Sequence, residues 1–274
     1  MPRIIWFLWF QGLDNAPDVV RKCYESWVAR NPTWRVVNLD ASMLSSVSRV
    51  DYSAGNIAAL SQQHKADLLR LDLMANHGGV WADATCFCVQ PLDDWLPQKM
   101  ESGFFAFHKP GPDRVLSNWF LAADPGSVLA ARMFERMLHY WGNHRFINSD
   151  RQFSVKVLTR LLRGSRRTRD WWFSPVIRDW LRLSPYFAFA YSFEKLIHED
   201  AECAAIWSRT PKVSAAASHH LYRAGLLTPV TPELRAEIDR REVPVYKTAW
   251  NLEDKPITCD TVLGYLLDMA RTEG

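Results

Sequence analysis

The chain has 274 residues, 48% of them hydrophobic and 23% charged. That length and composition suit one large α/β domain with a real core and exclude a disordered, collagen-like or disulfide-scaffold protein. The formal net charge is only +3, which gives no electrostatic argument for nucleic acid, and the 13 Trp residues are a heavy load of a side chain that often lines sites for flat rings and sugars.

Ile4 to Phe10 is a β-branched and aromatic run bounded by Pro2 and Gly12, and it reads as a buried first strand. It is far shorter than the ~20 residues that span a bilayer. Asp14-Asn15-Ala16-Pro17 supplies a capping residue and an early proline for a helix. Val20, Cys23, Trp27 and Val28 form its apolar face, and Asn31-Pro32 stops it. Trp34 to Leu39 reads as a second strand. Strand, helix and strand with a short crossover are the unit of a parallel sheet of the nucleotide-binding type. From about His64 to Asn76 a second helix carries Ala66, Leu69, Leu73 and Met74 on one stripe. Gly78-Gly79 ends it, where a left-handed cap needs glycine. Val80 to Val89 reads as one strand closed by Pro91. Further strands are expected at Phe104–Phe107 and Asn118–Ala123, then a helix over Ser127–Trp141.

Cys86 and Cys88 fall on one side of a strand, at a spacing shorter than zinc sites use, so core packing is expected. The five cysteines are scattered and odd in number, and the first residues show no secretory signal pattern. A reduced cytoplasmic setting is the expectation. Residues 151–182 carry nine Arg and Lys against Asp170 and Asp179, a local charge of +7 that leaves −4 for the remainder. Trp171, Trp172, Phe173 and Trp180 interleave with them. Two readings stand: a helical insertion with a solvated basic face, or an interfacial patch for anionic lipid or a lipid-linked acceptor. No nucleic-acid motif accompanies the stretch, so no nucleic-acid partner is expected.

Asp67 and Arg70, three apart on a helix, share a face. The glycine pair then turns the chain into a strand that delivers Asp83 near the C-terminal edge of the sheet, where α/β proteins bind ligands. With an aromatic first strand these groups suit ribose, sugar hydroxyls and a diphosphate. The plain alternative is a surface ion pair beside an unrelated strand aspartate.

Ala66-Asp67-Leu68-Leu69-Arg70 followed by Gly78-Gly79-Val80-Trp81-Ala82-Asp83-Ala84-Thr85 resembles the donor-site signature of retaining GT-A glycosyltransferases. That group includes family 32 enzymes, the clostridial glucosylating toxins and, most similar to this chain, the capsular polysaccharide synthesis proteins. Arg3–Gly12, Ser26-Trp27, Asn31-Pro32, Pro91–Leu96, Ser117–Phe120 and Pro244–Lys247 are also similar to the capsular proteins. The likeness is strong over residues 2–124 and weaker through 140–215. It implies one α/β domain over residues 1–274: a GT-A-like (Rossmann-type), mostly parallel sheet with a helical, basic, Trp-rich insertion at about 135–200. It also implies transfer of a sugar from a nucleotide-diphosphate donor to a growing capsular or other cell-surface polysaccharide, with retention. The acceptor would be a glycan or lipid-linked glycan, and the protein would be cytoplasmic or peripheral at the inner face of the plasma membrane. A non-catalytic nucleotide-sugar-binding scaffold of a synthesis complex is the rival.

By the same resemblance Trp9 stacks on the donor base and the backbone of Leu8 meets its edge. Asp67 and Arg70 hold the donor sugar, and Asn118 and Lys247 belong to the donor site. Asp83 is the first acid of an Asp-x-Asp motif, touching ribose, sugar and metal. The catalytic set is thus Asp83, Asp67 and Arg70. The second acid, a direct Mn²⁺ or Mg²⁺ ligand, would fall at Thr85, which offers only a neutral hydroxyl. Two solutions remain: a divalent ion recruited together with the donor by Asp83 and His219 or His220, or Lys247 as a fixed cation. Paired histidines on a loop are also ordinary surface residues.

Overall fold

The computed structural model describes residues 1–147, 153–252 and 256–269. Its strands are β1 (Ile4–Leu8), β2 (Arg35–Leu39), β3 (Gly79–Asp83), β4 (Cys86–Cys88), β5 (Phe104–Gly111), β6 (Arg114–Ala123) and β7 (Val245–Lys247). Five of them form one sheet in the order β2-β1-β3-β6-β5, and β4 and β7 pair separately. β1 is parallel to both β2 and β3, β6 is antiparallel to β3, and β5 is antiparallel to β6. Four of the five strands therefore run the same way, so this α/β sheet is mostly parallel.

The two faces follow from the alternation of side chains along β1. Ile5 and Phe7 join Val80, Ala82 and the Asp18–Arg30 helix residues Val20, Cys23 and Trp27 in one core. Trp6 and Leu8 join Trp81 and the Gln62–Asn76 helix residues Leu68, Leu69 and Leu73 in the other. The crossover from β1 to β2 thus packs on one face and the crossover into β3 on the opposite one. The strand order reverses between β1 and β3.

Several local features depart from expectation. The first long helix starts at Asp18, because Leu13–Asn15 forms a 3₁₀ turn and Pro17 occupies the N-cap. Val28 is exposed, since it sits a further ~100° round the helix from buried Trp27, and Val19 takes its place inside. Gly78 and Gly79 have φ of 67° and 90°, and a Cβ on Gly79 would lie 2.6 Å from the Ile4 carbonyl oxygen. Glycine is therefore what lets β3 enter beside β1. The single strand expected over Val80–Val89 is broken. β3 ends at Asp83, Ala84-Thr85 turns, and β4 pairs with β7 rather than with the main sheet. Thr248 holds the turn, with its N–H and its Oγ1 both donating to the Thr85 carbonyl, at 2.7 and 2.9 Å.

Beyond β6 the described chain is helical at Val128–Asn143, Phe153–Leu162, Arg166–Asp170, Ala188–Glu199 and Ala201–Arg209, so helix begins before residue 135 and runs past 200. Met133, Met137, Phe189 and Phe193 close the second face of the sheet. Val155, Trp172, Ile177, Leu183 and Tyr191 build a small separate core. All five cysteines are free, and Cys86 and Cys88 are buried packing residues. Burial pushes the Cys88 thiol up to about 12.

Candidate active site

Leu8 and Asp83, the last residues of β1 and β3, are paired across the sheet. They stand where the strand order reverses, the position at which open α/β sheets leave a crevice at the C-terminal strand ends. Asp83 Oδ1 accepts the Trp81 indole N–H at 2.8 Å and faces Arg70 Nη2 at 3.0 Å. Arg70 Nη1 lies 3.3 Å from Asp67 Oδ1 and donates to the Asn118 carbonyl oxygen. Asn118 Nδ2 closes the ring by donating to Asp67 Oδ1 at 2.8 Å. The guanidinium also sits 5.0 Å from the centre of the Trp81 ring.

This is no surface pair, because Arg70 is only 4% and Asp67 only 6% exposed. Charges so far from water are tolerated only when paired and hydrogen-bonded, and here both conditions are met by side chains from a helix and two strands. Trp81 has no assigned role in the sequence reading. Its signal was present nonetheless: it lies two residues before Asp83 in a strand, hence on the same face.

Lys247 arrives from the second sheet. β4 and β7 set Cys86 opposite Lys247, and the Lys247 N–H donates to the Ser218 carbonyl at 2.9 Å. Its ammonium donates to Thr85 Oγ1 and lies 3.8 Å from Asp83 Oδ2. The structure thus brings Asp67, Arg70, Asp83, Asn118 and Lys247 into one cluster. Trp9 follows Leu8 at its edge. It is partly buried, meets the exposed Trp250 ring edge-on at 5.5 Å, and keeps its buried Nε1 without a hydrogen-bond partner among the described residues. Beyond Trp9, a cavity of about 780 Å³ is lined by Phe10, Gln11, Leu44, Tyr52, Gln62 and Lys65. Gln62 and Lys65 share a helix with Asp67 and Arg70. The volume is within the usual range for small-molecule sites.

The histidines are engaged elsewhere. His219 Nε2 accepts the Trp119 indole N–H at 3.1 Å. His220 is exposed, with Nδ1 2.6 Å from Glu237 Oε2. Among the described residues no three His, Cys, Asp or Glu side chains gather into a group able to hold a metal ion. Asp83, His219 and His220 therefore do not form a ready three-ligand group, while the arrangement expected from the sequence, Asp83 with one of the histidines and a donor-held ion, needs only two of them. Trp119 fixes one ring inward while Glu237 holds its neighbour outward.

Burial, then the nearby Lys247, Arg223 and Arg114 cations, press the His219 imidazole down to about 4. An unfolded histidine titrates near ~6.5, so between those values the unfolded chain binds the extra proton. His219 leaves stability untouched above the unfolded value. It removes stability as pH falls through the window from about 6.5 to about 4, and the loss levels off below. The acid slope of Tm measured by calorimetry is expected to be shallower in His219→Gln. Identical slopes would exonerate His219.

Together the sheet and this cluster define an α/β domain with a charged site at the C-terminal ends of its parallel strands. The chain belongs to the capsular polysaccharide synthesis protein family, which matches residues 1–166. That span holds Trp9, Asp67, Arg70, Asp83, Thr85 and Asn118, while Lys247 lies outside it. The chain is 30% identical over 165 residues to O-glycosyltransferase braB of Annulohypoxylon truncatum, covering 50% of this chain and 37% of that protein. It is 29% identical over 158 residues to glycosyltransferase afumC of Aspergillus fumigatus, covering 51% and 40%. The chain thus spans less than half the length of these curated relatives. A solved structure, PaToxG Glycosyltransferase, aligns with a TM-score of 0.41 and 13% identity over 76% of each chain.

Proposed function

We propose that this protein is a glycosyltransferase that moves a sugar from a nucleotide-diphosphate donor to a growing capsular or other cell-surface polysaccharide. The observation that carries the reading is the buried Asp67–Arg70 pair, closed into a ring by Asn118 and tied to half-buried Asp83 at the strand-order reversal, in a chain of a capsular polysaccharide synthesis family. Trp9 offers a face for the donor base. Asp67 and Asn118 offer acceptors and donors to sugar hydroxyls, and Arg70 fixes both carboxylates in place. In the reaction the bond from the anomeric carbon to the diphosphate oxygen breaks and its electron pair leaves on the phosphate. The acceptor hydroxyl oxygen bonds to the anomeric carbon and passes its proton to the departing phosphate. Attack on the face that the diphosphate leaves retains configuration.

Thermal melts against a panel of nucleotide sugars test this, because a ligand at 100 times its Kd adds about 2.7 kcal/mol to the native state. One nucleotide sugar is expected to raise Tm and to release nucleoside diphosphate slowly in water. Stabilisation without release would leave the scaffold reading standing, and no stabilisation by any donor would overturn both.

The finer reading of the acceptor is a lipid-linked glycan at an anionic bilayer surface. Phe153, Val157 and Leu161 recur every four residues on the Phe153–Leu162 helix and are exposed, Phe153 at 81%. Trp171 and Trp180 are exposed too, Trp180 at 79%. Lys156, Arg160, Arg163, Arg167 and Arg182 are exposed in the same stretch. Aromatic groups that enter the headgroup layer, ringed by cations, suit the negative cytoplasmic leaflet, where each Lys or Arg contributes about 1 kcal/mol. No helix among the described residues is long and apolar enough to cross a membrane. Sedimentation with phosphatidylserine vesicles is expected to exceed that with phosphatidylcholine and to fade at high salt. Equal sedimentation with both would remove the electrostatic claim.

A further inference from the structure

We propose that the Lys247 ammonium is the fixed cation that receives the donor's diphosphate and steadies the leaving nucleoside diphosphate, in place of a divalent metal. The inference rests on the function proposed above and deepens it. Its starting point is charge. A site of two carboxylates and one divalent ion sums to zero, and so does a site of one carboxylate, one hydroxyl and one ammonium. Asp83, Thr85 and Lys247 are such a set, in contact: the ammonium donates to Thr85 Oγ1 and lies 3.8 Å from Asp83 Oδ2.

The donor set fits a divalent ion poorly. Asp83 Oδ1 is already shared by Arg70 and Trp81, and a metal on Oδ2 would stand against the Lys247 charge. Thr85 adds a neutral oxygen only, and that oxygen already accepts from Lys247. The two histidines answer to Trp119 and Glu237.

The ammonium is also built into place rather than left at the end of a loose stem. Lys247 is anchored by its pairing opposite Cys86 and by its N–H on Ser218. Thr85 is anchored by two hydrogen bonds from the next residue, Thr248. This short strand and the residue that follows it therefore set both partners, which is the preorganisation that electrostatic stabilisation requires. An ammonium has three N–H donors, so with one on Thr85 others remain for phosphate oxygens. Arg114 and Arg223 add to the positive field around the neighbouring His219.

In the step, the bond from the anomeric carbon to the phosphate oxygen breaks heterolytically. The electron pair and new charge stay on the phosphate beside Lys247. The oxygen of the acceptor hydroxyl, or of water during hydrolysis, takes the anomeric carbon and its proton goes to the phosphate. No redox partner is involved.

Calorimetry of the full chain tests the proposal with uridine, guanosine, adenosine, cytidine and thymidine diphosphates, each in excess EDTA and again in Mn²⁺. At least one is expected to bind in EDTA within about threefold of its affinity in Mn²⁺. Lys247→Met is expected to weaken that binding by at least about tenfold, the scale of a lost charge-assisted contact. Lys247→Arg, which keeps the charge, is expected to retain most of it. Binding that requires Mn²⁺ overturns the metal-free role and leaves the proposed function standing. Unchanged binding in a folded Lys247→Met also overturns it. Binding of none of the diphosphates under either condition overturns the proposed function and this inference together. The comparison of EDTA with Mn²⁺ uses the unaltered chain, so it decides even if Lys247→Met does not fold.

Discussion

Asp83→Asn is expected to lower nucleotide-sugar turnover by at least ~10²-fold while the protein remains folded. The substitution keeps the planar shape, so one oxygen can still accept from the Trp81 indole and Arg70. What disappears is the negative charge between two cations, Arg70 Nη2 at 3.0 Å and Lys247 Nζ at 3.8 Å. The amide also turns an N–H donor toward one of them. Both cations lose the partner that fixes their direction, and the group proposed to face the donor becomes neutral. Nucleoside diphosphate release checks the loss, with circular dichroism melts as the control for folding. A folded variant with near-normal turnover would remove Asp83 from the catalytic set.

Arg169→Ala is expected to destabilise the protein by about 3–5 kcal/mol, the range for breaking a buried ion pair. Arg169 Nε and Nη2 donate to the two Glu194 carboxylate oxygens at 2.8 Å each, and Nη1 donates to the Arg163 carbonyl at 2.9 Å. The two side chains are only 10% and 9% exposed. The pair ties the Arg166–Asp170 helix to the Ala188–Glu199 helix, and with it the segment that carries Trp171 and Trp180. Alanine leaves the Glu194 carboxylate buried without its fork, and that uncompensated charge is the source of the cost. Replacing both residues, as Arg169→Met with Glu194→Leu, is expected to recover most of the loss, because the stranded charge goes too. Urea unfolding checks both. A cost below about 1 kcal/mol for Arg169→Ala would mean that water reaches Glu194 freely.

The parts of the site that were legible in the sequence are those set by local periods. Asp67 and Arg70 share a helical face because they are three residues apart, and Gly78-Gly79 announces a turn that side chains resist. Trp81 and Asp83 share a strand face because they are two apart. The basic, Trp-rich stretch was equally visible as composition, although the pair that ties its Arg169 to Glu194 on the next long helix was not.

The sequence by itself determined the opening strand–helix–strand unit of a parallel sheet, the helix and glycine turn that follow, and the delivery of Asp83 to the C-terminal edge. These rest on hydrophobic period and turn chemistry, which act over a few residues. Only the tertiary structure decided that the Asp67–Arg70 pair is buried, that the strand after Asp83 breaks at Ala84-Thr85, and that Lys247 rather than His219 or His220 meets Thr85. The Lys247–Thr85 contact joins residues 162 apart and the Thr248–Thr85 contact residues 163 apart. No local pattern encodes such pairs, because they form when β4 leaves the main sheet to find β7. Thr85 offers only a neutral hydroxyl, and the ammonium that meets it sits on a strand that comes into contact only when the chain folds.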